Sequence, residues 1–103
     1  MKQSEVYVPI YVSDTVNQLL IKEICAGLEE EGVPYVCKHL AEETIRFTSL
    51  RVTIVVKRTN EIAIFHEKLP DRAYLIEKDL NGRKAGQNAA RMVKGQPLVI
   101  EEE

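Results

Sequence analysis

Cysteine and histidine are scarce in this chain, two of each in 103 residues. Cys25 and Cys37 stand twelve positions apart, a spacing that matches no metal or redox motif. His39 and His66 are equally isolated, and no His-Glu-x-x-His helix can be built from them. An excess of one charge is lacking as well. Fourteen basic and sixteen acidic residues leave a net charge of −2, and the basic ones are scattered. That excludes the clustered basic face of a nucleic-acid binder. No apolar run is long enough to span a bilayer. The opening Met1-Lys2-Gln3-Ser4-Glu5 lacks a signal peptide's apolar core, which predicts a cytoplasmic protein with both thiols free. Phosphate-binding loops, dinucleotide fingerprints and nucleophile elbows are all missing.

What is present reads as one soluble α/β domain over residues 1–103. The chain is 45% hydrophobic and 29% charged, which suits a single modest core. Val, Ile and Tyr predict a strand over 6–12. Pro9 inside it removes a backbone donor and demands an edge position, a bulge or a break in the ladder. Ser13 or Asp14 is the expected cap of a helix reaching Glu31, because a short side-chain oxygen accepts from free first-turn amides. Val16, Leu20, Ile24 and Leu28 make its buried stripe, flanked by Leu19 and Ile21. A strand over 33–39 completes a βαβ unit. A short helix is expected over 41–47, then a central strand over 50–57, a turn at 58–61 and a return strand over 62–66. A fifth strand is placed at 73–77. The last helix spans 81–94, with Ala85, Ala89, Met92 and Val93 inward, Lys94 suiting the dipole at its end, Gly95 stopping it and Pro97 preventing resumption. Gly86 costs about 1 kcal/mol in a helix and implies close approach of a neighbouring backbone. Leu98-Val99-Ile100 can add a strand or meet a partner, and Glu101-Glu102-Glu103 reads as a disordered acidic end.

Charge placement is unusual at one point. Glu29, Glu30 and Glu31 crowd the last turn of the first helix, where the dipole's negative end favours cations. Gly32 then closes the helix and Pro34 forbids its return. At about 100° per residue, Glu30 and Glu31 fall beside the two edges of the apolar stripe, within reach of whatever packs there. Glu29 lies mostly on the polar side. Chemistry elsewhere is thin. His66-Glu67 follows an apolar strand, where a base can sit, but a strand-end histidine is more often a solvated or hydrogen-bonded surface group. Cys37 and His39 alternate on one strand face without further ligands.

Three segments together carry a resemblance. Gly27-Leu28-Glu29-Glu30-Glu31-Gly32-Val33-Pro34-Tyr35, His66-Glu67-Lys68-Leu69-Pro70 and Gly86-Gln87-Asn88-Ala89-Ala90-Arg91-Met92-Val93-Lys94-Gly95-Gln96-Pro97 are similar, in order and spacing, to the small (beta) subunit of the diol/glycerol dehydratase reactivase family. The sequence departs from that family at Val52-Thr53-Ile54-Val55-Val56, where relatives are richer in glycine. The resemblance implies a fold like the medium subunit of B12-dependent diol dehydratase, which is anticodon-binding-domain-like. That means a mixed sheet of four or five strands with two main helices, in two or three layers. It implies a non-catalytic chain that pairs with an actin-like large subunit carrying ATPase activity. The pair would release damaged cobalamin from an adenosylcobalamin-dependent dehydratase by exchange with the enzyme's own subunit, so that the dehydratase large subunit is a transient partner. It implies no cofactor on the chain alone, with Mg and ADP or ATP at the interface with the large subunit. The metal-reaching carboxylate falls on Glu30, with Glu29 and Glu31 as interface neighbours. A hard cation accepts one or two such carboxylates beside phosphate and water. Neither the dehydratase's substrate nor association with a bacterial microcompartment follows from it. Two alternatives remain, a related module for another cobalamin enzyme or microcompartment protein, and a small enzyme using His66, Glu67 or the Glu29–Glu31 cluster.

Overall fold

The computed structural model describes residues 6–14, 16–40, 45–77 and 81–99. Five strands form one sheet: Val8–Val12 (β1), Tyr35–His39 (β2), Val52–Val56 (β3), Ile62–His66 (β4) and Leu75–Glu77 (β5). Their order is β2-β1-β3-β4-β5, so β3 is central as expected. β1 runs parallel to both neighbours, while β4 is antiparallel to both β3 and β5. Among the described residues two helices, Gln18–Glu30 (α1) and Gly82–Lys94 (α2), accompany the sheet.

Alternation along the strands decides the layering. Val8 and Ile10, then Val52, Ile54 and Val56, then Ile62 and Ile64 share one core with Leu20, Ile24 and Leu28 of α1 and Ala85 and Ala89 of α2. Alternate strand residues share a face, so both helices lie on the same side and the domain has two layers. The other face is covered too. Tyr11, Thr53, Val55 and Ala63 are buried there. The Arg46 amide donates to Tyr11 Oη at 3.1 Å, and Thr53 Oγ1 donates to the Arg46 carbonyl at 3.0 Å. Cover on both sides explains why β3 is buried at every position.

Pro9 lies in an interior strand, not at an edge. Val8 N donates to Pro34 O and Leu40 N to Val12 O, so the even positions of β1 bond towards β2. Odd positions bond towards β3, as Ser13 N does with Val56 O. That ladder begins only at Ile10 opposite Ile54. The missing Pro9 donor therefore falls before β3 joins, which is the break in the ladder that a proline requires.

Helix α1 starts later than the sequence suggested. Asn17, not Ser13 or Asp14, is the cap: its side chain accepts from Leu19 N at 2.8 Å. Its own amide donates to Asn60 Oδ1 at 3.2 Å, on the turn between β3 and β4. Val16 is buried just ahead of the cap and holds the loop down. Leu19 is exposed, so the apolar stripe is narrower than its sequence flank implied. The expected helix over 41–47 is not seen at 45–47, which is irregular. Its earlier part lies outside the described residues, as does the acidic end 101–103. On α2 the buried face centres on Ala85, Gly86, Asn88, Ala89 and Ala90, while Met92 and Val93 are only partly covered. Residues 96–99 form no strand. Instead the buried Asn88 amide grips Val99, with Nδ2 donating to its carbonyl at 3.1 Å and Oδ1 accepting from its amide.

The helices touch backbone to backbone. A Cβ on Gly86 would fall far inside contact distance of the Ile24 carbonyl, and one on Gly27 would do the same at the Arg83 carbonyl. One on Gly82 would lie 2.8 Å from Leu20 O. The pairs 20–82, 24–86 and 27–87 advance together, so α1 and α2 run side by side in the same direction. Gly86→Ala gains about 1 kcal/mol of helix propensity but forces the helices apart. Overpacking costs about 1–3 kcal/mol or more, and we expect the loss to win. Thermal unfolding should show a lower midpoint, by roughly 4–8 °C per kcal/mol. A raised midpoint would refute this close crossing.

Candidate functional site

The parallel crossing brings the C-terminal ends of both helices together, and with them two negative dipole ends. Glu29 and Glu30 of α1, with Glu31 at its C-terminal cap, add to that charge. The chain answers it with α2. Arg83, Gln87 and Arg91 recur every four positions and so line one edge of that helix. Arg83 Nη1 donates to Glu30 Oε2 at 2.8 Å, and Gln87 Nε2 to Glu30 Oε1 at 2.8 Å. Arg83 Nε also donates to Glu23 Oε1 at 3.1 Å. Glu31 accepts from Lys94 Nζ at 2.9 Å and from Arg91 Nη2 at 3.3 Å. Lys94 Nζ additionally donates to the Glu31 carbonyl at 3.0 Å, one of the helix-end acceptors that has no intrahelical partner. Glu29 turns the other way and accepts from the Tyr35 hydroxyl on β2.

Local backbone geometry fixes this cluster. Gly32 takes a left-handed φ of 74°. Its amide donates to Glu29 O and that of Val33 to Leu28 O, both at 3.0 Å, a Schellman closure in which buried Val33 meets buried Leu28. Gly95 repeats the device on α2, with Gln96 N donating to Arg91 O at 2.8 Å.

Environment tunes three groups. The Lys94 ammonium holds the Glu31 carboxyl below the usual glutamate range, with Arg91 assisting against partial burial. The Tyr35 hydroxyl is pushed up, first by its bond to Glu29 and then by burial. Burial, with Cys37 beside it, pushes the Cys25 thiol up to about 11.

The three predicted site glutamates are thus adjacent but differ in availability. Glu31 has a side chain only 16% exposed and is saturated by cations, whereas Glu30 is 44% exposed. A carboxylate has about four lone-pair positions, so Glu30 keeps acceptor capacity beyond Arg83 and Gln87. Among the described residues, no three His, Cys, Asp or Glu side chains gather in a way that would hold a metal ion. Glu30 can offer a hard cation one carboxylate, a number that magnesium accepts beside phosphate and water.

The carboxylate crowding that made the sequence look electrostatically poor is compensated within the chain. Arg83, Gln87 and Tyr35 were missed as partners. Four-residue spacing of Arg83, Gln87 and Arg91 was the available signal, but pairing it with the right edge of α1 needs the helix crossing. His66 is far plainer. Its Nδ1 accepts from Lys68 N at 3.1 Å, which leaves the proton of the neutral ring on Nε2. Its ring lies 6.4 Å from that of Tyr74. Both line an open groove of about 580 Å³ with Lys68, Leu69, Met92 and Leu98. Glu67 serves through its backbone, whose amide donates to Arg51 O at 2.9 Å. No helix among the described residues is long and apolar enough to cross a membrane.

Comparison with known proteins points one way. Residues 7–99 match the family described as dehydratase medium subunit. The propanediol dehydratase-reactivating factor small subunit of Salmonella typhimurium is 31% identical, over 87% of this chain and 90% of the relative. A diol dehydratase-reactivating factor solved with ADP and Mg2+ superposes with a TM-score of 0.76 at 27% identity, covering 94% of this chain and all of the matched one. A glycerol dehydratase reactivase superposes with a TM-score of 0.73 at 27% identity, covering 93% and 98%.

The Glu31 cluster makes stability depend on acid. A carboxyl lowered in the folded state stabilises above its unfolded pKa, and that stabilisation is lost as pH falls through its folded pKa. From about pH 6 to about pH 3 the thermal midpoint should therefore fall. In Glu31→Gln the midpoint should start lower at neutral pH and fall less steeply. Parallel curves for the two proteins would mean that Glu31 contributes nothing through its charge.

Proposed function

The chain belongs to the family of diol and glycerol dehydratase-reactivating-factor small subunits, and on that premise we propose that it acts by subunit exchange. The carrying observation is that one sequence family covers two roles by name. The family model it matches is described as the dehydratase's medium subunit, while its relatives are subunits of the factor that reactivates that enzyme. A chain shaped like the enzyme's own subunit can take that subunit's place, opening the holoenzyme so that damaged cobalamin leaves. The chain itself does no bond chemistry in this reading. Nucleotide hydrolysis falls to an actin-like large partner, and the small subunit contributes a surface.

Glu30 is the residue of that surface we assign to the partner. Magnesium, held with nucleotide by the large subunit, would draw one carboxylate oxygen from it and so tie pairing to nucleotide state. Arg83 and Gln87 hold that carboxylate at the helix margin, and its exposure leaves it reachable. An enzymatic reading of His66 has less support, because its nearest hydrogen-bond partner is a backbone amide and its groove is open.

Two measurements bear on this. When the factor is mixed with inactivated dehydratase, native mass spectrometry should show the enzyme's medium subunit released and this chain in its place. Reactivation with every dehydratase subunit still in position would reject exchange. Separately, Glu30→Gln should fold normally, since a half-exposed helix-end charge contributes little. It should weaken ADP- and magnesium-dependent pairing with the large subunit, on the order of tenfold for one lost charge-assisted contact. Glu29→Gln, turned towards Tyr35, should leave that pairing unchanged. Equal magnesium dependence in all three proteins would remove Glu30 from the interface.

A further inference from the structure

Cys25 on α1 and Cys37 on β2 play no part in the exchange reading, yet their sulfurs lie 4.0 Å apart. A disulfide needs about 2.05 Å between sulfurs. Rotation about the two Cα–Cβ bonds can supply approach on that scale. The thiols are unequal in access. Cys37 is exposed on a strand at the sheet's edge, and Cys25 is half-buried under it. Access of this kind separates an entry thiol from a resolving thiol.

We infer that Cys25 and Cys37 form a redox-modification site, closing to an intramolecular disulfide when the folded chain meets a low-molecular-weight disulfide such as oxidised glutathione. Cys37 gives up its proton, and its thiolate attacks one sulfur of the reagent. A mixed disulfide forms and one glutathione thiolate leaves, taking up a proton. Cys25 then attacks the Cys37 sulfur, the Cys25–Cys37 bond forms, and the second glutathione departs with the second proton. Two thiols are oxidised and one external disulfide is reduced to two thiols. The covalent ring so closed encloses residues 26–36. That segment holds Glu29, Glu30, Glu31 and the Gly32 turn, so oxidation would lock the glutamate-bearing helix end to the sheet edge. Neither the large subunit nor the dehydratase is needed for this chemistry, and its outcome is independent of the exchange reading.

The test treats the full chain with graded oxidised glutathione and follows intact mass without reductant. Wild type should lose two hydrogens and carry no adduct. Cys25→Ser, which lacks the resolving thiol, should stop at one glutathionyl group on Cys37. Cys37→Ser should react at least tenfold more slowly than Cys25→Ser, because its remaining thiol is half-buried and burial, the first cause of its raised pKa, persists. In denaturant the two variants should react alike, which attributes the difference to the fold. The oxidised wild type should also melt at higher temperature than the reduced chain, as closing a loop of this size constrains the unfolded state. Accumulation of glutathionylated wild type without ring closure would overturn the proposal. So would ring closure no faster in the folded chain than in denaturant, or a lower melting point after oxidation.

Discussion

The architecture depends on the backbone contact of α1 with α2 at Gly27 and Gly86. Without a side chain at either position, the helices approach until carbonyls meet Cα atoms. That closeness lets Ala85, Ala89 and Ala90 fill the remaining gap, so the core on this side needs few large residues on α2. It also decides which margins meet. Glu23, Glu30 and Glu31 come within hydrogen-bond reach of Arg83, Gln87, Arg91 and Lys94 only because the helix axes are near. The exposed polar cluster is therefore a consequence of the apolar crossing beneath it. Half-exposed ion pairs are each worth little, whereas displaced backbones would cost the whole contact.

The two most specific stretches of the sequence turn out to be partners. The segment from Gly27 to Tyr35 supplies one glycine, the three glutamates and the helix stop. The segment from Gly86 to Pro97 supplies the other glycine, Arg91, Lys94 and the second stop. Asn88 between them ties the chain at Val99 to α2. Most residues that make the family recognisable are thus engaged with one another. Only part of that set faces outward with capacity to spare, and Glu30 is its clearest member.

Legibility in the sequence followed the range of the interaction. Strand periodicity, the Gly32 and Gly95 stops and the buried Val16–Leu20–Ile24–Leu28 series depend on neighbours in sequence, and they were readable. Gly86 was readable as a close approach because glycine is so unfavourable inside a helix. The start of α1 was misplaced because Ser13, Asp14 and Asn17 are all good caps, and the choice lies with burial of Val16 and with Asn60, forty-three positions away. The partners of the glutamates were hidden for the same reason. Lys94 read as satisfying its own helix dipole, and nothing local said that a parallel neighbour would share it. Pro9 left an edge, a bulge and a ladder break open, and the sheet takes the last by starting the β3 ladder one residue later.

The position of β1 has a consequence for how the chain is made. β3, β4 and β5 form a meander in which each strand pairs with the next, so its contacts are local and quick to close. β1 pairs with the next strand, β2, only across α1, and its other neighbour is distant in sequence. Its partner Ile54 follows Ile10 by forty-four residues, and the face of α1 that packs on Gly86 has nothing to cover it until α2 exists. During synthesis the first βαβ unit emerges with its apolar stripe open and its inner strand half-paired. Loop-closure entropy delays it further. The amino-terminal half thus leaves the ribosome first and is completed last.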